Sequence, residues 1–210
     1  HVRRVATYAT ILTSAADCDE DTQRMVERIA LFHDIGKIHE ALFDIIHDGE
    51  ALSIAARRAI ATHPRRGASV LEPLRGFYPE LPEGVLCHHE RWDGKGYPRR
   101  IKGRHIPFAA RVVAIADTFD AVTYHRRYRD GRSAGDACEV IMRGRGTQFD
   151  PELVDLFLLP PVMAEIEHAR RRVFKWSLPV QSRRTGREED NIPEITFRWR
   201  PGRSVSRVRK

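Results

Sequence analysis

The period of the apolar residues constrains this chain more than any other feature. They recur at helical spacing almost throughout, and sustained apolar–polar alternation is nearly absent before residue 190. A chain patterned in this way builds an all-α domain. Residues 2–14 put Val5, Tyr8, Ala9 and Leu12 on one helical face, and residues 21–33 do the same with Met25, Ile29, Ala30 and Phe32 before Gly36 interrupts. Ser53 suits the N-cap of a helix through Thr62, which Pro64 ends, because the residue before a proline disfavours the α region. Pro107 opens the apolar run 108–122, and Ser133 with Asp136 has capping-box spacing ahead of a helix to Arg143. Asp150 and Pro151 start a helix carrying Leu153, Val154, Leu156 and Phe157, and Pro160 and Pro161 start a last one that runs towards Lys175.

Composition matters chiefly through its unevenness. The net charge of +7 over 210 residues divides into −2 for residues 1–167 and +9 for residues 168–210. A basic total suggests nucleic-acid binding through counterion release, but the excess lies in the tail, which speaks against nucleic acid as a partner of the body. We therefore expect a domain over 1–167 and a basic, mostly irregular extension over 168–210, with a short strand-like stretch at 195–199. No apolar run approaches the ~20 residues of a membrane span, so membrane insertion of this segment is not expected. Cys18, Cys87 and Cys138 form neither a disulfide framework nor a metal-binding pair motif, which fits a reducing, cytoplasmic setting. The first residue is His1 rather than Met, so a piece of a longer protein is expected. Residues 93–107 are too rich in Gly, Pro and charge for a helix, and so long a loop in a helical domain is usually functional or disordered.

Ten histidines are many for this length, and their neighbours say more than their number. His33 and Asp34 precede Lys37 at the end of an apolar helix, His63 lies before a proline at another helix end, His88, His89 and Glu90 end a third, and Asp117 lies inside the run 108–122. Each group puts a potential ligand where packing can hold it. Neutral imidazoles mixed with carboxylates suit Fe, Mn or Zn rather than Mg alone. Two such metals ~3.5–4 Å apart can share a bridging carboxylate and a water whose pKa falls enough to supply hydroxide, a nucleophile for phosphorus. Lys37 would then balance charge on a phosphate oxygen. Taken singly, each group has a bland explanation, as a solvated helix end or a core hydrogen bond. The case rests on the ordered set His1, His33, Asp34, His63, His88, His89 and Asp117.

Several stretches carry a resemblance: His33-Asp34-Ile35-Gly36-Lys37-Ile38, His63-Pro64-Arg65-Arg66-Gly67, His88-His89-Glu90-Arg91-Trp92-Asp93-Gly94-Lys95-Gly96-Tyr97-Pro98, Ile106-Pro107, residues 110–121, Arg126-Arg127-Tyr128-Arg129, and Phe149-Asp150-Pro151. Together they resemble the HD-GYP domains, a subgroup of the HD phosphohydrolase superfamily. The resemblance implies a compact helical HD-domain bundle around a multinuclear centre of two or three divalent metal ions, iron or manganese. It also implies hydrolysis of the bacterial messenger cyclic di-GMP to linear pGpG or GMP. Carried over residue by residue, the metal ligands fall on His1, His33, Asp34, His63, His88, His89 and Asp117. Asp34 matches the bridging carboxylate and Lys37 the motif lysine, the two residues assigned to catalysis. Substrate falls to Lys37, Arg126, Arg129, Gly96 and Tyr97, with Gly96 supplying backbone freedom in the pocket rim. Arg127 stands where the family usually has proline. The trimetallic members carry a glutamate four residues before the first histidine, a position ahead of His1, which leaves the metal count open. An upstream sensor or receiver domain is a further expectation from the resemblance, with a homodimer as an open option.

Other residues have plainer roles. Cys87 suits a small buried position, and His39, His47, His105, His125 and His168 suit the surface or the surroundings of the ligands. Arg99, Arg100, Lys102 and Arg104 can steer an anionic dinucleotide or simply form a solvated basic loop. Two competing functions remain: a catalytically weak receptor for a cyclic dinucleotide, and a phosphohydrolase acting on another cyclic dinucleotide.

Overall fold

A helix with apolar side chains on every face has to be buried, and residues 108–123 form the helix around which this fold is built. The computed structural model describes residues 1–38, 58–124 and 131–174 of the chain. Its α-helices are α1 (Val2–Ala15), α2 (Glu20–Phe32), α3 (His63–Leu71), α4 (Leu81–Cys87), α5 (Phe108–Thr123), α6 (Ala134–Arg143), α7 (Pro151–Phe157) and α8 (Pro160–Phe174), with short 3-10 turns at Ile35–Ile38, Glu72–Leu74 and Gly103–His105. Among the described residues no β-strand forms, as the apolar period predicts. No helix among them is long and apolar enough to cross a membrane.

Val112, Val113, Ile115, Ala116 and Phe119 of α5 are fully buried. Around α5 pack α1, α2, α4, α6 and α7, and α1 in turn packs on α2 and α8. Tyr8 of α1 and Phe157 of α7 both meet the Phe119 ring edge-on, with centroids 5.4 and 5.5 Å away. The expected inward face of α1 is buried in full.

Local signals set several boundaries. The Ser133 side chain accepts from the Asp136 backbone N–H while the Asp136 carboxylate accepts from the Ser133 N–H, the reciprocal capping box that starts α6. The Asp150 carboxylate caps Glu152 at the start of α7, and its other oxygen is paired with Arg111 of α5, so one buried acid both starts a helix and fastens it to the centre.

Some expectations need correction. Phe32 faces outward and Val26 takes the core position in α2, because the buried stripe follows Val26, Ile29 and Ala30. Leu156 and Met25 are only half-buried. Pro64 does not merely stop a helix. Residues 58–60 end one, and Pro64 then lies in the first turn of α3, where its missing N–H costs nothing. Pro107 stands at the N-cap of α5, one residue before the expected place. The start of the helix expected at Ser53, the strand-like stretch 195–199, nearly all of the basic extension, and His39, His47 and His125 lie outside the described residues. His105 and His168 are exposed, and Cys87 is buried; all three cysteines are free.

Phe119→Ala, which empties the space between α1, α5 and α7, is expected to lower stability by about 3–5 kcal/mol. Urea unfolding followed by far-UV circular dichroism checks it.

Candidate metal centre

The last carbonyls of an α-helix have no partner within the helix. Here three of them are taken by histidines three residues further on. The Nδ1–H of His33 donates to the Ala30 carbonyl at 2.7 Å, that of His63 to Ile60 at 2.7 Å and that of His88 to Val85 at 2.6 Å. A carbonyl only accepts, so Nδ1 carries the proton in each ring and Nε2 of the neutral imidazole offers a lone pair. All three rings are buried. Because α2, residues 58–60 and α4 end side by side, those lone pairs converge.

The convergence is around Asp34. Its Oδ1 lies 3.3 Å from His63 Nε2, and its Oδ2 lies 3.5 Å from His33 Nε2 and 3.6 Å from His1 Nε2. The two carboxylate oxygens thus face two different groups of donors. His63, His88 and His89 form one, and His1, His33 and Asp117 the other, with the donor atoms of each group within 4.8 Å of one another. Lys37 donates to Asp34 Oδ2 at 2.6 Å. A 3-10 turn brings Asp34 and Lys37 against α3, and Gly36 permits it: a Cβ there would stand 2.1 Å from the His63 carbonyl oxygen.

These residues fit divalent metal ions. His63 Nε2 and His88 Nε2 are 3.1 Å apart with no proton between them, two lone pairs that repel unless a cation accepts both. That separation is what two nitrogens each ~2.1 Å from one ion would have. His33 Nε2 and Asp34 Oδ1 are buried without a hydrogen-bond partner, a cost that ligation removes. Burial, with the nearby Lys37, pushes His63 down to about 4, and burial with His63 pushes His89 down to about 3. His88 lies well below its ordinary value, through burial first and then the neighbouring His89. Neutral rings are what a metal requires. Burial also pulls His1 down, but hydrogen bonds to Asp120 and Asp34 outweigh it and raise His1 to about 9. For Asp34, burial favours the protonated form, yet His1, His33 and Lys37 prevail and hold it well below the usual carboxylate range.

All seven side chains singled out in the sequence as ligands meet here, and Lys37 joins them. Tyr97 stacks on His89, with centroids 5.0 Å apart and planes 25° off parallel. Gly96 needs to be glycine for a different reason from the one anticipated. The positive φ belongs to Gly94, whereas a Cβ on Gly96 would stand 2.4 Å from the Arg91 nitrogen and 2.6 Å from the His89 oxygen, so Gly96 is a close approach. Of the basic residues after the loop, Arg99 is paired with Glu83 and Arg104 with Glu152, so half of the anticipated steering charge is neutralised locally. Arg126 and Arg129 lie outside the described residues.

The roles of two residues are not legible in the sequence. Glu90 Oε1 accepts from the backbone N–H groups of Arg99 and Arg100 at 2.6 and 3.1 Å, which ties the far side of the loop to the end of α4. Asp120 accepts from His1 Nδ1 at 2.8 Å. The spacing shows only that Asp120, three residues after Asp117, shares its helix face.

The helix ends of this bundle thus bring histidines and aspartates together into groups that could hold a metal ion. The model of the HD domain family matches residues 1–153, and the chain belongs to that family. It is 34% identical over 160 residues, 75% of its own length and 30% of the relative's, to "3'3'-cGAMP-specific phosphodiesterase 2" of Vibrio cholerae. It is 32% identical over 158 residues, 75% of its length and 42% of the relative's, to "Cyclic di-GMP phosphodiesterase response regulator RpfG" of Xanthomonas campestris. The chain therefore spans less than half of the curated relatives it matches. Among solved structures, a cyclic GMP-AMP phosphodiesterase of V. cholerae aligns with a TM-score of 0.60 at 21% identity, over 82% of this chain and 47% of that one. The HD domain of the L. monocytogenes phosphodiesterase PgpH aligns with a TM-score of 0.56 at 14% identity, over 83% of this chain and 91% of that one. At these identities the likeness is one of fold.

The metal-free chain should lose stability in acid. His63, His88 and His89 titrate below the ordinary value of 6.5 in the fold, so the unfolded chain takes up protons first as the pH falls. Their contribution is fully present above about 6.5 and drains away as the pH falls, down to about 4 for His63, which alone accounts for roughly 3 kcal/mol, and down to about 3 for His89. His1 acts with the opposite sign: its stabilisation is present below 6.5 and is lost as the pH rises through about 9. Thermal unfolding of metal-free protein between pH 7 and pH 4 is expected to show a steadily falling Tm.

Proposed function

We propose that residues 1–167 form a metal-dependent phosphodiesterase of the cytoplasm that hydrolyses cyclic di-GMP to linear pGpG or GMP. The observation that carries this reading is the Asp34 carboxylate, whose two oxygens face two separate histidine groups while Lys37 contacts one of them. The names of the relatives, phosphodiesterases for cyclic di-GMP and for 3'3'-cGAMP, support a cyclic dinucleotide as the substrate class.

In this reading His1, His33 and Asp117, His63, His88 and His89, and Asp34 would hold two or three divalent ions, iron or manganese. Such ions, when bound, act as Lewis acids on a phosphate oxygen and bring the pKa of water towards neutrality. The protein's own part is to present His63, His88 and His89 as neutral imidazoles and Asp34 ionised in fixed positions, the first through burial and the second through the neighbouring His1 and Lys37. Lys37 moves its positive charge from Asp34 to the phosphate oxygen on which negative charge gathers. Tyr97, stacked on His89, walls the rim against which the dinucleotide lies. Arg126 and Arg129 take the phosphates, an assignment that rests on their motif.

Elemental analysis of anaerobically purified protein, followed by chromatography of cyclic di-GMP and 3'3'-cGAMP after incubation, tests the reading. Bound iron or manganese and conversion of cyclic di-GMP are expected. The double variant His33→Ala with Asp34→Ala should lose at least ~10³-fold in turnover, because several kcal/mol of transition-state stabilisation leave with the metal, and it should keep its helical spectrum. Metal without cleavage would make the domain a receptor, and cleavage of 3'3'-cGAMP alone would move the substrate. A double variant that still linearised cyclic di-GMP would remove Asp34 and His33 from the chemistry.

A further inference from the structure

Three histidine rings approach Asp34, and His1 is the one among them that no helix-end carbonyl holds. It stands at the N-cap of α1 with its side chain 32% exposed, and it makes no capping hydrogen bond to its own helix. What restrains it comes from the opposite helix. The Asp120 carboxylate, 2% exposed near the end of α5, accepts from His1 Nδ1 at 2.8 Å on Oδ2. The same carboxylate accepts from Arg4 Nε on Oδ1 at 2.6 Å and from Arg4 Nη2 on Oδ2 at 3.0 Å. The Arg4 guanidinium in turn lies 3.5 Å from the centre of the Tyr124 ring.

The spacing of these residues is regular. His1 and Arg4 are three apart at the start of α1, and Asp117 and Asp120 are three apart on α5, so each helix offers one group to the centre and one to the support behind it. His1 Nε2 then lies 3.4 Å from Asp117 Oδ1 and 3.6 Å from Asp34 Oδ2.

We propose that Asp120 and Arg4 are positioning residues of the centre: the Asp120 carboxylate fixes the His1 tautomer and ring so that Nε2 presents its lone pair, and Arg4 fixes the carboxylate. This rests on the reading of His1 as a metal ligand. A carboxylate that takes the Nδ1–H of a ligating histidine both orients the ring and makes the other nitrogen a better donor, and loss of such a partner typically weakens metal affinity ~10–100-fold. Three donors converge on Asp120, which only an ionised carboxylate can accept on both oxygens. An amide in its place turns an NH₂ towards a donor and has to give up either the Arg4 Nε bond or the contacts on the other oxygen. Arg4 also neutralises the buried charge, so the support stands without removing positive charge from the metal side.

The test is a Mn²⁺ titration of the metal-free full chain, followed by calorimetry, for the wild type, Asp120→Ala, His1→Ala and the double variant. Asp120→Ala is expected to weaken one bound equivalent ~10–100-fold and to leave the equivalent at His63, His88 and His89 at wild-type affinity. If Asp120 acts through His1, adding Asp120→Ala to His1→Ala costs nothing further, a non-additivity that a merely structural role would not produce. Asp120→Asn, which keeps the volume, carries the test if the alanine variant does not fold, and a loss in the same direction is expected from it and from Arg4→Lys. Wild-type Mn²⁺ binding in Asp120→Ala and Asp120→Asn, or losses that add in full to those of His1→Ala, would overturn the positioning role. A wild-type chain that takes up no Mn²⁺ would instead take down the metal reading of the site, and the positioning role with it.

Discussion

A peptide carbonyl left over at the end of a helix accepts a histidine Nδ1–H, and the candidate centre is built on three repetitions of that bond, at Ala30, Ile60 and Val85. The bond satisfies an orphan acceptor, selects one tautomer, and aims the second nitrogen away from its own helix. The same bond explains why the rings can be buried, since each has one nitrogen satisfied by the backbone and the other kept for a ligand. Burial then keeps His63, His88 and His89 neutral, and the proximity of their lone pairs makes them a group that could hold a cation.

The scaffold serves this arrangement by bringing helix ends, rather than helix faces, together. Helix α5 is apolar enough to be enclosed by its neighbours, and it carries Asp117 and Asp120 at its far end. Backbone segments then approach more closely than side chains allow at Gly36 and Gly96, which sets Asp34 against His63 and the Tyr97 loop against His89. Positive charge acts through placement in the same way. Arg111 holds Asp150 and Arg4 holds Asp120, both against acids that are nearly inaccessible, while Lys37 contacts the central carboxylate. The overall excess of +7 describes mainly the last residues of the chain and says little about the domain.

Much of this was legible without coordinates where the signal was local. The capping box of Ser133 and Asp136, the proline starts of α7 and α8 and the buried face of α1 follow from rules that involve only a few neighbouring residues. Errors arose where a distant contact decided the outcome. Phe32 satisfies the helical period as well as Val26 does, but only the positions of α1, α5 and α4 say which flank of α2 is covered. Pro64 reads equally as the end of one helix or the start of the next, and here two helices meet at it. The need for glycine at position 96 comes from the close approach of Arg91 and His89, a contact that the order of residues does not encode.

The sequence by itself determined the helical class, through its apolar period, and the membership of the candidate ligand set, through the order in which its histidines and aspartates fall along the chain. It determined these because both depend on spacing along the chain. Only the tertiary structure decided that Asp34 divides its oxygens between two donor groups, that three backbone carbonyls select the tautomers, and that Asp120 with Arg4 stands behind His1. Those are relations between elements up to 119 residues apart. A directional hydrogen bond across such a separation exists only once the core has set the helices in register, and the registers of α1, α2 and α4 against α5 are decided by side-chain packing over the whole interface.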